Sequence, residues 1–263
     1  MCPTLPNEAR TRSRAGGFTR LPPGRIGRRC GLFLRRDWRD SGLFGKSRSM
    51  LFVGQASLQG DISRYAQHFN LLELHTEPGR LPKTAGLRKW VDSAGEDFAF
   101  SLRVPAKLWS ADSPESEALV AYVHTVAATL NPVVCLLQTP ATATPTARNK
   151  ARIGELCERL RRPGTTLAWE PRGIWQADEL EALAESLDVL LVRDLSRDEE
   201  AVLGPTVYTR LLALGDATHV KSGVAFDLAE KLADCERAFV VMEGTGAKGA
   251  AKIMRENLED ATN

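Results

Sequence analysis

Apolar positions repeat with two different periods along the chain from Met50 onward. Short apolar runs of strand length precede longer segments whose apolar residues recur at i, i+3, i+4 and i+7, the spacing of one helix face. Predicted strands lie at 51–54, 71–75, 98–104, 133–138, 166–170, 189–192, 207–211 and 238–242. A predicted helix follows each strand, at 62–69, 85–94, 114–130, 147–161, 177–186, 198–203, 224–233 and 247–258.

Strands that alternate with helices form parallel sheets. Eight such units predict a single α/β domain, a (β/α)8 barrel of the TIM type, which needs about 250 residues. An open doubly wound sheet is the alternative. The stretch 54–60 after the first strand lacks the G-x-G-x-x-G spacing common in that fold, which favours the barrel.

Large polar residues stand where the apolar runs end. They are Gln55, Glu73, His75, Arg103, Gln138, Glu170, Arg172, Arg193, Asp194, Arg210 and Glu243. The carboxyl ends of barrel strands converge on one mouth, where the active sites of this fold lie. The pattern therefore predicts a functional site formed by several of these side chains.

Strand periodicity predicts which of these side chains enter the barrel. Glu73 and His75 are two residues apart and share a face, whereas Leu72 and Leu74 face the helices. A carboxylate inside the barrel is costly without a cationic partner. Three arginines can supply that partner, namely Arg103, Arg172 and Arg210.

The composition is that of a globular protein, with 263 residues, 43% hydrophobic and 26% charged. The net charge of +2 is unevenly distributed, since residues 1–49 hold eleven Arg and one Lys against three acids, and residues 50–263 carry −7. We interpret residues 1–49 as a disordered or artefactual basic extension, with the true start of the protein and of the barrel expected at Met50. Two alternatives are an organelle transit peptide and a nucleic-acid-binding arm.

The five cysteines are scattered, without the pairs or Cys/His clusters of zinc sites. Cys135 lies inside an apolar run, which is typical of a buried free thiol and indicates a reducing compartment. No apolar stretch approaches the roughly 20 residues of a membrane span. We therefore expect a cytoplasmic protein that does not bind membranes, and nucleic acid contact only through the basic extension.

Several segments resemble the YecE-like family of uncharacterised proteins. The segments are 65–75, 80–82, 87–90, 97–105, 137–140, 167–172 with Trp175, and 207–211. The resemblance runs from about residue 51 to the C-terminus, with the motifs in order. It implies a TIM-type barrel with a polar pocket at its mouth and no assigned reaction. It also implies polar site groups at Glu73, Gln138, Glu170, Arg172 and Arg210.

The sequence departs from that family in three loops. Residues 55–59 replace a Ser-Gly-Trp-type loop, and 76–78 replace a Ser/Thr-Phe-Tyr segment. At the last strand, 242–244 replace a Phe-Asn-Asn-type ending. These changes remove aromatic and amide groups, so we expect the substrate to differ from that of relatives.

Three functions fit the predicted mouth. The first is a hydrolase or lyase acting on a small polar, sugar-like or phosphorylated substrate, with Glu170 and Glu73 as general acid and base. Its substrate-binding residues would be Gln138, Arg172, Arg210, His75 and Trp175. The second adds a divalent metal held by Glu73, His75, Glu170 and Glu243, without a supporting ligand spacing. The third is a barrel that binds a small ligand without catalysis.

Overall fold

The computed structural model describes residues 50–198, 201–211, 221–242 and 244–261. Eight parallel strands alternate with seven helices among these residues, which confirms the (β/α)8 prediction. The strands are β1 (Met50–Gln55), β2 (Leu71–His75), β3 (Ala99–Arg103), β4 (Val134–Gln138), β5 (Thr166–Glu170), β6 (Leu190–Leu191), β7 (Thr206–Leu211) and β8 (Arg237–Met242). The helices are α1 (Ile62–Tyr65), α2 (Thr84–Ala94), α3 (Ser113–Leu130), α4 (Ala147–Leu160), α5 (Ala177–Ser186), α6 (Ser222–Leu232) and α7 (Ala247–Ala261).

The sheet closes on itself with one weak seam. Its strand order is β6-β5-β4-β3-β2-β1-β8-β7, so β6 and β7 are the two ends. These ends meet through a single bridge between Arg193 and Thr209. By contrast, β7 and β8 pair over six residues, from Thr206 with Arg237 to Leu211 with Met242. The seam between β6 and β7 thus has the fewest paired residues of any junction in the barrel.

Side-chain alternation along β2 follows the predicted period. Leu71 packs with Tyr208 and Phe239 in the cluster that fills the barrel. Leu72 and Leu74 belong instead to the cluster between strands and helices. Glu73 and His75 have the same parity as Leu71, so both lie on the inner face.

Local signals explain where the helices begin. The side chains of Asp61, Asp112 and Thr146 accept backbone N–H bonds at the starts of α1, α3 and α4. These caps satisfy donors that have no partner inside the helix. Pro114 occupies the first turn of α3, where its missing N–H costs nothing.

The predicted helix at 198–203 is wrong in the part that the structure describes. Residues 201–204 have no regular structure, and Val202 is 95% exposed, so it contributes to no buried helix face. Upstream, Asp194 Oδ1 accepts from the backbone N–H of Ser196 at 3.1 Å, a turn that competes with helix formation. The connection from β6 to β7 therefore leaves the outer face of this seam without a described helix.

Predictions about the rest of the chain have different outcomes. The extension 1–49 and Glu243 lie outside the described residues. Cys135 is a buried free thiol, as predicted. Among the residues that the structure describes, no helix has the length and apolar character needed to cross a membrane.

Candidate active site

Arg210 joins the two carboxylates that the sequence singled out. It comes from β7 and is 1% exposed. Its Nε lies 2.9 Å from Glu73 Oε2, and its Nη1 donates to Glu170 Oε2 at 2.6 Å. Burial alone would lower the pKa of Arg210, but the two carboxylates outweigh it and hold the pKa above its ordinary value. The cation and both anions therefore form one charged unit.

Glu73 is buried completely and is held from several directions. Besides Arg210, the hydroxyl of Tyr208 donates to Glu73 Oε2 at 2.7 Å. The Nε of Arg103 lies 3.8 Å from Glu73 Oε1, outside hydrogen-bond distance. The two arginines compensate the charge of a carboxylate that water does not reach.

Glu170 lies at the end of β5 and is 8% exposed. Its Oε2 accepts from Gln138 at 2.8 Å and from Arg210 at 2.6 Å. Its Oε1 accepts from Arg172 Nε and Nη2 over the longer distances of 3.3 and 3.2 Å. The register of β4 and β5 explains the first contact, because Gln138 is paired directly with Glu170. Oε2 is therefore tightly held, and Oε1 is the more loosely held oxygen.

A cavity of about 530 Å³ opens beside Glu170 at the carboxyl ends of β5 to β7. Its charged lining includes Glu170, Arg172, Arg193, Asp194, Arg197 and Arg210. Volumes between about 300 and 1,000 Å³ are usual for small-molecule sites. Glu73 does not line this cavity, because Arg210 lies between it and Glu170.

His75 lies on the opposite part of the mouth, at the end of β2. It is paired in register with Arg103, and its Nε2 is 3.3 Å from Glu77 Oε1. Burial and the nearby Arg103 lower the pKa of His75, although Glu77 opposes them. The imidazole is therefore mainly neutral near pH 7.

Trp175 is not brought to the cavity lining. Its indole Nε1 donates to the backbone oxygen of Ala143 at 2.7 Å, and its ring meets Trp169 edge-on with centroids 5.4 Å apart. The backbone at Gly173 also lies close to the loop after β4, since a Cβ on Gly173 would be 2.3 Å from the Ala143 oxygen. Trp175 thus anchors the loop after β5 to the loop after β4.

Sequence reasoning missed Tyr208 and Ser101. Both are essentially buried inside the barrel, and the Ser101 hydroxyl lies 2.9 Å from the Tyr208 hydroxyl. A signal was present, because each residue lies two positions before an arginine on an inner face, Arg210 or Arg103. A polar residue two positions before a predicted site residue on the same strand face could therefore have been added to the set of candidate site residues.

The donor set does not fit a divalent metal. The Arg210 guanidinium forms ion pairs with both Glu73 and Glu170, so a cation already occupies the position between them. No three His, Cys, Asp or Glu side chains within the described ranges are grouped to hold a metal ion. Glu243, the fourth predicted ligand, lies outside those ranges. Glu73, His75 and Glu170 therefore do not form a set of ligands for a divalent metal.

A family model described as "Protein of unknown function DUF72" matches residues 38–255. The chain belongs to the DUF72 family. The YecE-like resemblance is consistent with this membership. The family match begins before Met50, and the predicted domain boundary at residue 50 stays a prediction. No curated protein matches this DUF72 chain.

Solved structures share the fold at low sequence identity. A DUF72 protein from Enterococcus faecalis is 18% identical with a TM-score of 0.64, and the match covers 81% of this chain and 99% of that chain. A DUF72 protein from Thermotoga maritima is 13% identical with a TM-score of 0.57, covering 80% and 99%. A structure titled L-ribulose 3-epimerase is 15% identical with a TM-score of 0.52, covering 81% and 95%. These likenesses concern the barrel fold alone.

Proposed function

We propose that this DUF72 protein is an enzyme, a hydrolase or lyase, whose small polar substrate carries an anionic group. The observation that supports this most is the convergence of Glu170, Arg172 and Arg210 on one cavity. That cavity lies at the carboxyl ends of the strands, where TIM barrels carry out their chemistry. Phosphorylated or carboxylated sugar-like compounds match its size and its charged lining.

Arg172 and Arg210 are the proposed anion-binding groups. Guanidinium groups bind phosphate and carboxylate through two parallel N–H bonds, which also orients the ligand. The Arg172 side chain is 45% exposed and contacts Glu170 only over 3.2–3.3 Å. It can therefore turn from Glu170 toward a ligand at low cost, whereas Arg210 keeps a fixed position.

Glu170 is the proposed proton acceptor. Its Oε2 is committed to Gln138 and Arg210, while Oε1 accepts the longer bonds from Arg172. When Arg172 turns to the substrate anion, Oε1 becomes available to a substrate hydroxyl or C–H group. Gln138 then keeps the carboxylate in its orientation.

We assign Glu73 a positioning role in place of the acid–base role that its location on β2 first indicated. It is fully buried and absent from the cavity lining, so a substrate in the cavity would not touch it. Two-carboxylate glycoside cleavage needs the sugar between the acids, and here Arg210 lies between Glu73 and Glu170. We therefore favour a mechanism with one reacting carboxylate.

The remaining predicted residues stay as proposals. His75 offers a neutral imidazole at the mouth that could bind a substrate hydroxyl. For Trp175, its contacts with Ala143 and Trp169 support a role in holding the loop beside Arg172. We also propose that the protein works in the cytoplasm, because Cys135 and Cys157 are buried free thiols.

A second candidate function is ligand binding without turnover. It is favoured by the saturation of Glu170, which already accepts bonds from Gln138, Arg172 and Arg210. These three donors contact both oxygens of Glu170 and would compete with a substrate group for them. The two functions share one ligand class and differ in product formation.

The test begins by measuring the unfolding temperature of the full chain in the presence of sugar phosphates, sugar acids and their uncharged parents. We expect the charged compounds to raise the unfolding temperature, because a ligand that binds only the folded state stabilises it. The compound that stabilises most is then incubated with wild type and with Glu170→Gln, and its products are analysed. Glu158→Gln, on the exposed face of α4, is the control.

The enzyme proposal predicts product with wild type and Glu158→Gln, and loss of at least about a hundredfold of the rate with Glu170→Gln. Stabilisation without product would favour the binding protein. Turnover that survives Glu170→Gln unchanged would remove Glu170 from the reaction.

A further inference from the structure

A pair of hydroxyl groups crosses the inside of the barrel below the charged unit. Ser101 on β3 and Tyr208 on β7 are 107 residues apart in sequence, and their hydroxyl oxygens are 2.9 Å apart. Tyr208 also donates to Glu73 Oε2 on β2 at 2.7 Å. The three side chains connect three strands through polar contacts that water does not reach.

The direction of each hydrogen bond follows from proton counting. A tyrosine hydroxyl has one proton, and the Glu73 oxygen beside Arg210 acts as the acceptor for it. Ser101 must therefore donate its own proton to the Tyr208 oxygen. Burial and the neighbouring Glu73 raise the pKa of Tyr208 well above its ordinary value, which keeps this donor protonated.

The limited pairing of β7 explains why contacts across the barrel matter for the position of Arg210. Arg210 belongs to β7, whose backbone pairing on the β6 side is the single bridge between Thr209 and Arg193, just after β6. On its other side β7 is paired with β8, whose inner residues Phe239 and Val241 are apolar. Polar contacts across the barrel are thus what ties the Arg210 side chain to β2 and β5.

We propose that Tyr208, oriented by Ser101, is a positioning residue that holds Glu73 against Arg210 and so aims Arg210 at the cavity. This inference rests on the proposed function in one respect, since its value to the protein is a fixed anion-binding guanidinium. Tyr208 does not line the cavity beside Glu170. It acts through Glu73.

Tyr65 provides a matched control within the same chain. Its hydroxyl is also buried and also has two partners, donating to the Leu71 oxygen at 2.7 Å and accepting from the Gln55 N–H at 2.7 Å. It packs in the cluster between strands and helices, away from the charged unit. Replacing either tyrosine by Phe removes one hydroxyl and keeps the ring.

The experiment compares Tyr208→Phe and Tyr65→Phe in the full chain with two measurements. The first is calorimetric binding of inorganic phosphate. The second is the proton exchange rate of the Arg210 Nε–H by NMR, with the resonance identified by its loss in Arg210→Lys. The second measurement needs no ligand.

We expect Tyr208→Phe to weaken phosphate binding about tenfold and to speed Arg210 Nε–H exchange about tenfold, because a hydrogen bond to a charged group is lost. Tyr65→Phe should leave both quantities near wild type although it destabilises the fold. Ser101→Ala should also weaken phosphate binding and speed Arg210 Nε–H exchange, but each change should be smaller than in Tyr208→Phe. It replaces that variant if Tyr208→Phe does not fold.

Unchanged Arg210 exchange in Tyr208→Phe would overturn the inference, as would an equal acceleration in Tyr65→Phe. If wild type fails to bind phosphate, the anionic ligand class of the proposed function is in error. The exchange rates then still decide whether Tyr208 positions Arg210.

Discussion

The Arg210 guanidinium donates to the Glu170 carboxylate at 2.6 Å, and the two side chains are 1% and 10% exposed. Removing both charges from water is costly, and the cost is recovered only while the pair stays intact. The pair is therefore a fixed part of the barrel as well as the base of the cavity. Breaking the pair should lower the free energy of unfolding, which can be measured without knowing the substrate.

Replacing Arg210 by Met should destabilise the protein by about 3–5 kcal/mol, because Glu73 and Glu170 lose their shared cation while remaining buried. The matched control is Arg172→Met, which removes a half-exposed partner of the same Glu170 and should cost no more than about 1 kcal/mol. Urea unfolding measures both values. Equal losses in the two variants would contradict the assignment of Arg210 as the central cation.

His75 should titrate below its ordinary value of 6.5, because burial and Arg103 disfavour its charged form. The unfolded chain then binds more protons than the folded chain as the pH falls below about 6.5, so the free energy of unfolding should decrease there. NMR titration of the imidazole measures the pKa directly. His75→Gln should flatten this part of the stability curve, and a His75 pKa above 6.5 would contradict the account.

Trp175→Phe should destabilise the fold by about 1–3 kcal/mol, because the buried Ala143 oxygen loses its 2.7 Å donor. The same variant keeps an aromatic ring, so ligand-induced stabilisation should be close to that of wild type. Thermal denaturation with and without ligand separates the two effects. Normal stability with lost ligand response would instead favour Trp175 as a direct ligand contact.

Cys135 and Cys157 should resist alkylation in the folded protein at pH 8. Burial raises the pKa of Cys135 to about 12 and that of Cys157 to about 11, and the reacting species is the thiolate. Iodoacetamide labelling followed by site-resolved mass spectrometry measures this, with the protein in urea as the control. Rapid labelling of either site in the folded protein would show that these thiols are accessible.

The sequence predicted those parts of the fold that depend on local periodicity. β2 and β5 have the predicted bounds, because each is a short apolar run closed by polar residues. The inner-face positions of Glu73 and Glu170 followed from the same period. The helix at 198–203 failed because a turn at Asp194 and the missing apolar face outweighed the expected alternation.

Contacts across the barrel could not be read from the chain. Tyr208 meets Glu73, which is 135 residues away, and this pairing depends on the stagger of strands around the closed barrel. Strand periodicity assigns an inner face but no partner on the far side. The sequence therefore predicted that arginines would pair with Glu73 and Glu170, but it did not predict that Arg210 would serve both.

The most direct test of the proposed site is a calorimetric titration of wild type and Arg172→Ala with one sugar phosphate and its unphosphorylated parent. Arg161→Ala, which removes an exposed arginine far from the mouth at the end of α4, is the control. The account predicts that wild type and Arg161→Ala bind the phosphorylated compound, and that Arg172→Ala binds it at least about tenfold more weakly. Equal affinity in wild type and Arg172→Ala, or preference for the uncharged parent, would contradict an anion-binding site at Glu170, Arg172 and Arg210.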